Sequence, residues 1–263
     1  ILTDYKYKNE SLLKSGPKVN FWRAPVDNDY GARTQLRYKA WKDAGKAEVV
    51  ASDVKQLSNS ELQVSFTRNL FGGDATLHET YLVNGNGTIK VTNALKAIKG
   101  EHSNFYKFGN KLVLPEAYKN ISYYGKGPFE AYADRQHAAK LGVFKQTVKE
   151  QYFSYIRPQE TGNKLDVRWA TLTKADGSGI KFISDTPFHF SALNFSEDDL
   201  HTGDKREQHH AGEIDPRKEV FVNIDGFQQG VGSINSWGRL PMEQYRLPYQ
   251  DYSYSYWMMP INK

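Results

Sequence analysis

The sequence predicts an all-β fold, a large antiparallel β-sandwich, and three observations support this. Segments that alternate apolar and polar residues, or run apolar with many β-branched residues, cover most of the 263 residues. Gly, Asn and Asp turns separate these segments at short intervals. Aromatic residues make up 14% of the chain, which suits the core between two packed sheets. No repeat of about 20 to 50 residues and no linker rich in Pro or Ser interrupts it, so residues 1–263 are predicted to form one domain.

The predicted strands begin with a meander at residues 48–94. Its last two strands are joined as a hairpin by Asn-Gly-Asn-Gly at residues 84–87. Helical periodicity is weak and is confined to residues 33–44 and a short turn at residues 196–200, where Ser196 can cap the first turn and Glu197 and Asp198 suit its positive end. The predicted strands are residues 48–55, 61–68, 75–82, 88–94, 111–114, 121–125, 166–173, 180–184, 189–194, 219–228 and 253–259.

Composition excludes several classes of protein. Apolar residues at 39% and charged residues at 25% are typical of a folded globular chain. No window approaches the roughly 18 to 20 apolar residues of a membrane span. The 35 basic and 30 acidic residues are interspersed, whereas nucleic-acid binders concentrate their basic residues on one face. The chain has no cysteine, which excludes disulfides and leaves both the cytoplasm and the periplasm open as compartments.

The segment Asn-Phe-Trp-Arg-Ala-Pro-Val-Asp-Asn-Asp-Tyr-Gly at residues 20–31 combines aromatic rings, an arginine and two acids. On a strand, Asp27 and Asp29 would share one face, as a pair of glycosidase carboxylates requires. In a loop this rich in Asp and Asn, hydrogen bonding of these side chains to backbone amides is the commoner arrangement. We therefore expect the two acids to support the loop.

Three further polar segments have both a functional and a structural interpretation. His201, His209 and His210 lie in a highly charged segment that could hold a metal ion, and a solvated loop is the favoured interpretation. Gly125 to Arg135 resembles a phosphate loop only in its glycines and is predicted to be a tight turn between strands. Gln159 to Trp169 is predicted to be a polar loop that leads into a strand and suits hydroxyl-rich ligands without being diagnostic of them.

Trp237 is the strongest candidate for ligand contact. The segment Gly-Val-Gly-Ser-Ile-Asn-Ser-Trp-Gly at residues 230–238 surrounds its indole with residues too small to bury it. We therefore expect the ring to lie at least partly exposed, where the C–H face of a sugar can stack on it.

Taken together, seven ordered segments resemble the C-terminal domain of bacterial β-galactosidases of glycoside hydrolase family 2. The resemblance spans almost the whole chain and implies a large antiparallel sandwich, similar in fold to galactose mutarotase, that closes the active site of a five-domain enzyme. The segments are residues 20–31, WKDAG at residues 41–45, residues 123–135, residues 155–169, residues 191–200, residues 222–232 and SWG at residues 236–238.

The resemblance assigns roles to individual residues. Trp237 matches the tryptophan that forms an apolar wall for the substrate, and Gly31 matches the start of a mobile loop that swings over the site, shorter here than in some members. Phe21 and Trp22 are expected to pack inside the protein. Arg23, Asp27, Asn28 and Asp29 are then interpreted as the rigid hydrogen-bonded anchor of that loop, because an arginine fork holds a carboxylate more firmly than a lysine does.

The implied reaction is retaining hydrolysis of terminal β-D-galactosides such as lactose. The nucleophilic glutamate and the acid/base glutamate belong to a (β/α)₈ barrel domain, whose alternating strands and helices are missing here, so this chain is expected to contribute no catalytic residue. No cofactor or metal is expected in this segment, since the Mg and Na sites of the family lie mainly in other domains. The expected partners are the galactoside, the remaining domains of the same enzyme, and further copies of it in a homo-oligomer.

Two alternative functions stay open at this stage. A stand-alone carbohydrate-binding module would show sugar affinity by itself. A mutarotase-like aldose epimerase would need a positioned acid and base, for which His189 and Glu160 can be considered although no motif supports them. The start at Ile1, in an apparent strand whose preceding partner is missing, favours a piece of a larger protein over either alternative.

Overall fold

The computed structural model describes residue 2 and residues 4–201, 203–205, 209–232, 234–235 and 237–262. The strands in these residues are β1 (Lys6–Tyr7), β2 (Glu10–Ser11), β3 (Ser15–Asn20), β4 (Val49–Ser58), β5 (Glu61–Leu70), β6 (Ala75–Asn84), β7 (Ile89–Ala97), β8 (Lys107–Leu114), β9 (Asn120–Gly127), β10 (Lys140–Thr147), β11 (Lys164–Thr173), β12 (Gly179–Leu193), β13 (Val220–Gln228) and β14 (Tyr252–Ile261). The α-helices are α1 (Asp27–Ala32), α2 (Thr34–Arg37), α3 (Lys39–Lys42), α4 (Val148–Gln151) and α5 (Glu197–Leu200), and single 3₁₀ turns lie at Ala44–Lys46, Phe71–Gly73, Ala211–Glu213 and Glu243–Tyr245.

Within the described residues, twelve strands form one hydrogen-bonded antiparallel sheet. Its main path runs β10-β9-β11-β12-β14-β7-β6-β5-β4, and a branch runs from β12 through β13 and β8 to β3. The long strand β12 joins the two parts, because residues 179–183 pair with β14 and residues 189–193 pair with β13. A strand that changes partners along its length turns the corner between two packed layers. The prediction of an all-β antiparallel fold is confirmed.

The predicted meander is also confirmed. Strands β4, β5, β6 and β7 pair in sequence order. In the hairpin between β6 and β7, the Asn84 amide donates to the Thr88 carbonyl at 2.9 Å, and Gly87 has a left-handed φ of 89°. Glycine adopts that φ without steric strain, which is why the Asn-Gly pattern predicted this turn.

Aromatic rings fill the core next to the segment that carries the candidate anchor. Phe21 is 1% exposed and lies 5.0 Å from Trp41, 5.7 Å from Phe105 and 5.2 Å from Phe108 between ring centroids. Trp22 is 3% exposed and lies 4.9 Å from Tyr106. The packing role predicted for Phe21 and Trp22 is confirmed, and it holds the chain rigidly just before Arg23.

The single helix predicted at residues 33–44 is wrong. Arg33 has a left-handed φ of 55°, which ends α1, and Tyr38 and Asp43 interrupt the chain again, so short helices replace one continuous helix. The predicted cap of α5 is confirmed, since the Ser196 hydroxyl accepts the Asp199 amide at 3.2 Å. No helix in the described ranges is both long enough and apolar enough to cross a bilayer.

Two strands of the sheet, β3 and β10, were not predicted. β3 contains Gly16 and Pro17, which are turn signals in a sequence. β10 is an edge strand that is exposed or half-exposed along its whole length, so burial imposes no apolar alternation on it. The two strands predicted at residues 180–184 and 189–194 are one bent strand, β12.

Candidate functional site

A buried ion pair between Arg23 and Asp29 organises the first candidate segment. Arg23 is fully buried, and its Nη1 donates to Asp29 Oδ2 at 2.8 Å while Nη2 lies 3.4 Å from Oδ1. Its guanidinium carbon lies 4.5 Å from the centre of the Tyr106 ring. Burial is the largest single influence and would lower the pKa of Arg23, but Asp29, helped by Tyr106, Glu160 and Tyr132, raises it overall. The two-pronged arginine–carboxylate contact that the sequence predicted is present.

Asp29 also accepts hydrogen bonds from residues on either side of α1. Its Oδ2 accepts the backbone amide of Val26 at 2.8 Å, and its Oδ1 accepts the Thr34 hydroxyl at 3.0 Å. The Thr34 hydroxyl in turn lies 2.8 Å from Tyr106 OH. The favoured interpretation, that this acid supports the loop through hydrogen bonds to backbone amides, is confirmed for Asp29.

Asp27 and Asp29 do not form a pair of facing carboxylates. They lie on helix α1 and not on a strand, so a spacing of two residues turns them to opposite sides. Asp27 instead lies 3.3 Å from Arg157 Nε, and its backbone amide donates to Gln159 Oε1 at 3.3 Å. The strand-based interpretation of this pair is therefore wrong, because the helix replaces the twofold alternation of a strand.

The segment at residues 230–232 is held against α1 and the turn after β9. Asn28 Nδ2 donates to the Val231 carbonyl at 3.2 Å. The Asp134 carboxylate accepts the amides of Val231 at 3.0 Å and Gly232 at 2.7 Å. A Cβ on Gly230 would lie 2.4 Å from Asp134 Oδ2, so a larger residue there would displace this carboxylate. Sequence reasoning missed Asp134, because nothing local distinguishes its turn from others.

Trp237 follows this tethered segment and is strongly exposed. Its side chain is 90% exposed, and its backbone amide donates to Asn235 Oδ1 at 2.9 Å. Gly238, with a left-handed φ of 121°, lies beside Gly31, since a Cβ on Gly238 would be 3.6 Å from the Gly31 carbonyl oxygen. Ser233 and Ser236 lie outside the described residues. The expected exposure of Trp237 is confirmed, and the structure brings it next to the predicted loop.

Gly31 lies inside α1, two residues before the left-handed Arg33. A helical glycine weakens the last turn of a short helix, and a left-handed arginine ends it. Both features fall where the resemblance implies the start of a mobile loop. The role of Gly31 as a hinge stays a prediction.

A cavity of about 120 Å³ opens beside α1. Its lining includes Asp27 and Asn28 of α1 together with Tyr155, Gln159 and Glu160. Burial raises the pKa of Glu160, while Lys107 and Arg23 act against this shift. The segment predicted as a polar loop at residues 159–169 is largely buried here, with Gln159, Glu160, Thr161, Asn163 and Lys164 each at most 9% exposed.

Lys164 is a buried lysine whose charge the fold disfavours. It is 2% exposed, and burial lowers its pKa to about 8, with Glu130 acting in the opposite direction. Folding depresses the pKa of Lys164, so the protein is most stable when this side chain is neutral in both the folded and the unfolded state. The stability linked to the neutral lysine is fully present above the pKa of the unfolded chain, near 10.4, and is lost as pH falls through the folded-state pKa of about 8.

We expect Lys164→Met to raise the free energy of unfolding at pH 7 by about 3 kcal/mol, since one pKa unit corresponds to about 1.4 kcal/mol. The difference from the wild type should shrink as pH rises from about 8 to 10, as measured by urea unfolding. Lys145→Met, on the exposed edge strand β10, is the control and should change little. A gain from Lys164→Met that is the same at every pH would show a packing effect and not the cost of a buried charge.

The histidines considered as metal ligands or as an epimerase acid or base lie in different surroundings. Among the described residues, no group of three or more His, Asp or Glu side chains could hold a metal ion. His201 lies 3.2 Å from Lys42 Nζ, and His209 lies 3.2 Å from Glu213, while residues 202 and 206–208 fall outside the described part. Burial lowers the pKa of His189 to about 4, and its Nδ1 lies 3.3 Å from Asn163 Nδ2.

Comparison with known sequences identifies the class of protein to which this sandwich belongs. The sequence profile described as Beta galactosidase small chain matches residues 1–258. The chain therefore belongs to the β-galactosidase small chain family.

Curated relatives carry this segment inside much longer proteins. The chain is 33% identical over 251 residues to a β-galactosidase of Priestia megaterium, covering 95% of this chain and 24% of that protein. It is 30% identical over 264 residues to a β-galactosidase of Streptococcus thermophilus, covering 99% and 25%. The chain thus spans about a quarter of the length of the relatives it matches. A solved structure described as a proposed aldose 1-epimerase of Escherichia coli aligns over 84% of this chain and 71% of that chain, with 10% identity and a TM-score of 0.42.

Proposed function

We propose that this chain is the domain that completes and closes the active site of a β-galactosidase acting on terminal β-D-galactosides. Other domains of the enzyme supply both catalytic glutamates for retaining hydrolysis. The observation that carries the proposal is the 90% exposed indole of Trp237 on a segment tethered beside Gly31. The relatives that contain this segment, which are β-galactosidases about four times its length, support the same assignment.

The geometry around Trp237 suits a wall for a sugar. A large exposed ring costs solvation free energy unless it has a ligand or partner, and an indole offers an apolar face to pyranose C–H groups. Asp134 and Asn28 hold the chain a few residues before the ring, at residues 231–232. The segment that bears the ring is thus held at residues 231–232, which limits the conformational entropy that this segment loses when substrate binds.

In the complete enzyme, Trp237→Ala should weaken substrate binding by about 1–3 kcal/mol, or about 5- to 150-fold in kcat/KM. The melting temperature should hardly change, because the exposed side chain makes little packing contribution. Phe or Tyr at this position should restore part of the loss, since either ring offers a stacking face. Steady-state kinetics and thermal unfolding of the same variants measure both effects.

Trp257→Ala is the matched control. Trp257 lies half-exposed on β14, where it pairs with Lys90 of β7 and Ile183 of β12, and Lys90 Nζ lies 5.3 Å from its ring. This variant should keep normal kcat/KM. A large loss of stability with unchanged affinity in Trp237→Ala would show a packing role and would remove the direct substrate contact proposed for this chain.

Gly31→Ala should change kcat and KM together in the complete enzyme. Alanine is favoured over glycine inside a helix by about 1 kcal/mol, so the substitution strengthens the last turn of α1 and opposes a movement that unwinds it. Stability should stay equal or rise slightly. Gly85→Ala, in the hairpin between β6 and β7, is the control, because the nearest atom to a Cβ there is Ser60 Cβ at 3.5 Å, an ordinary contact distance. Kinetics equal to the wild type would show that Gly31 is only a helix residue.

A further inference from the structure

A second cavity, separate in its main lining from the one beside α1, lies over strands β3, β8, β13 and β12. Its volume is about 190 Å³. Ser191 pairs with Asn223, and Asn223 pairs with Lys111, so these three side chains form one row on the same face of the sheet. All three line the cavity. The sheet face that forms the floor of the cavity is therefore polar along this row.

The next row of the same face is apolar. Leu193 pairs with Phe221, and Phe221 pairs with Val113, two residues along from the polar row. These three side chains also line the cavity. The floor therefore has an apolar half directly beside its polar half, because residues two apart on a strand share a face.

The segment at residues 195–200, which contains α5, and Glu160 with Thr161 complete the walls of the second cavity. Glu197 is held in place, since its Oε1 accepts Asn20 Nδ2 at 2.6 Å and lies 2.9 Å from Lys107 Nζ. Burial is the largest single influence and would raise the pKa of Glu197, but the charges of Lys107 and Lys111 and the hydrogen bonds from Lys107 and Asn20 together lower it. Glu160, Phe195 and Leu200 are buried in these walls, whereas Asp198 is exposed.

The polar groups of the cavity offer both donors and acceptors. Ser191 is 3% exposed, and its Oγ accepts Asn223 Nδ2 at 3.1 Å. Asn223 Oδ1 is buried without a hydrogen-bond partner among the described residues. An acceptor of this kind costs free energy unless a ligand or a water donates to it.

The charges of the cavity argue against an ionic ligand. The charged residues of the lining have both signs, and Lys111 Nζ lies 3.5 Å from Glu197 Oε2; these residues are Lys18, Lys111, Glu160, Glu197 and Asp198. A phosphate would meet Glu160 and Glu197, and a cation would meet Lys111. Opposite charges that already pair leave hydrogen bonding and apolar contact as the means of recognition.

We propose that the second cavity binds a neutral monosaccharide in its pyranose form, at a site distinct from the Trp237 segment. The apolar row of Leu193, Phe221 and Val113 faces the C–H side of the ring, while Asn223 and Lys111 hydrogen-bond its hydroxyls. A volume of about 190 Å³ holds roughly six or more waters, which suits one sugar ring and not a disaccharide.

The test is a titration of the full chain with D-galactose and, separately, with D-glucose, followed by calorimetry and ligand-observed NMR. Saturable binding to one site is expected for at least one of the two sugars. Asn223→Ala and Lys111→Met should each raise its Kd about 3- to 10-fold, the loss of one hydrogen bond. Lys111 has a side chain that is 42% exposed, so its replacement leaves folding intact even if Asn223→Ala does not.

Three control variants distinguish sugar binding in the second cavity from binding at Trp237 and from general effects of substitution. Asn120→Ala and Lys145→Met replace the same residue types on β9 and β10 and should bind like the wild type. Trp237→Ala should also leave this binding unchanged. Sugar binding that Trp237→Ala abolishes and Asn223→Ala spares would place the only sugar site at Trp237, which supports the proposed function and overturns the second site. Absence of saturable binding by folded chain, or displacement of the sugar by inorganic phosphate, also overturns it.

Discussion

Arg23→Met should lower the free energy of unfolding by about 3–5 kcal/mol, because it leaves the Asp29 carboxylate buried without its counter-charge. Arg23 is fully buried, and the side chain of Asp29 is 5% exposed, so water cannot replace the lost contact. The variant also removes the hydrogen bond from Arg23 Nη1 to the Ala24 carbonyl at 3.3 Å. Urea unfolding of the wild type and the variant, followed by circular dichroism, measures the difference.

Arg217→Met is the matched control for this experiment. Arg217 also makes a two-pronged contact with a carboxylate, at 2.7 and 2.6 Å to Asp199, but its side chain is 53% exposed. An exposed pair of this kind contributes at most about 1 kcal/mol. Arg23→Lys should fall between the two variants, since it keeps the charge and loses the fork. Equal losses in the free energy of unfolding for Arg23→Met and Arg217→Met would contradict the role of Arg23 as the rigid anchor of α1.

The isolated chain should fold cooperatively and hydrolyse no nitrophenyl β-galactoside, whereas the complete enzyme should turn this substrate over. Glycoside hydrolysis requires two carboxylates that flank the scissile bond. Asp29 is occupied by Arg23, Asp27 lies against Arg157, and Glu197 and Asp225 lie beside Lys107. These acids are engaged in ion pairs and none forms a free pair beside Trp237.

Activity is measured on rigorously purified chain alone and on the chain mixed with the part of the enzyme that carries the barrel. The complete enzyme serves as the positive control, and circular dichroism confirms that the isolated chain is folded. Activity that appears only in the mixture or in the complete enzyme fits the proposed function. Turnover by the purified isolated chain that is lost when one of its own acids is replaced would contradict it.

Local chemistry allowed much of the fold to be predicted from sequence. The meander at residues 48–94 was predictable because each strand alternates over a few residues and Asn-Gly has a strong preference for hairpin turns. The cap at Ser196 was predictable because a hydroxyl next to the first helical turn meets its own backbone amides. The exposure of Trp237 followed from its small neighbours, whereas the contact of Arg23 with a carboxylate was expected from the anchor role that the family resemblance implies.

Only the tertiary structure decided which distant segments meet. Asp134 holds the amides of Val231 and Gly232 across almost a hundred residues, and no local pattern marks that contact. The bend of β12, the left-handed Arg33 and the burial of Lys164 likewise depend on neighbours from other strands. Turns and helix caps depend on neighbouring residues and can therefore be predicted from a short stretch of sequence. The pairing of strands, the burial of a charge and the lining of a cavity depend on segments that are far apart in sequence and that exclude water when they pack together.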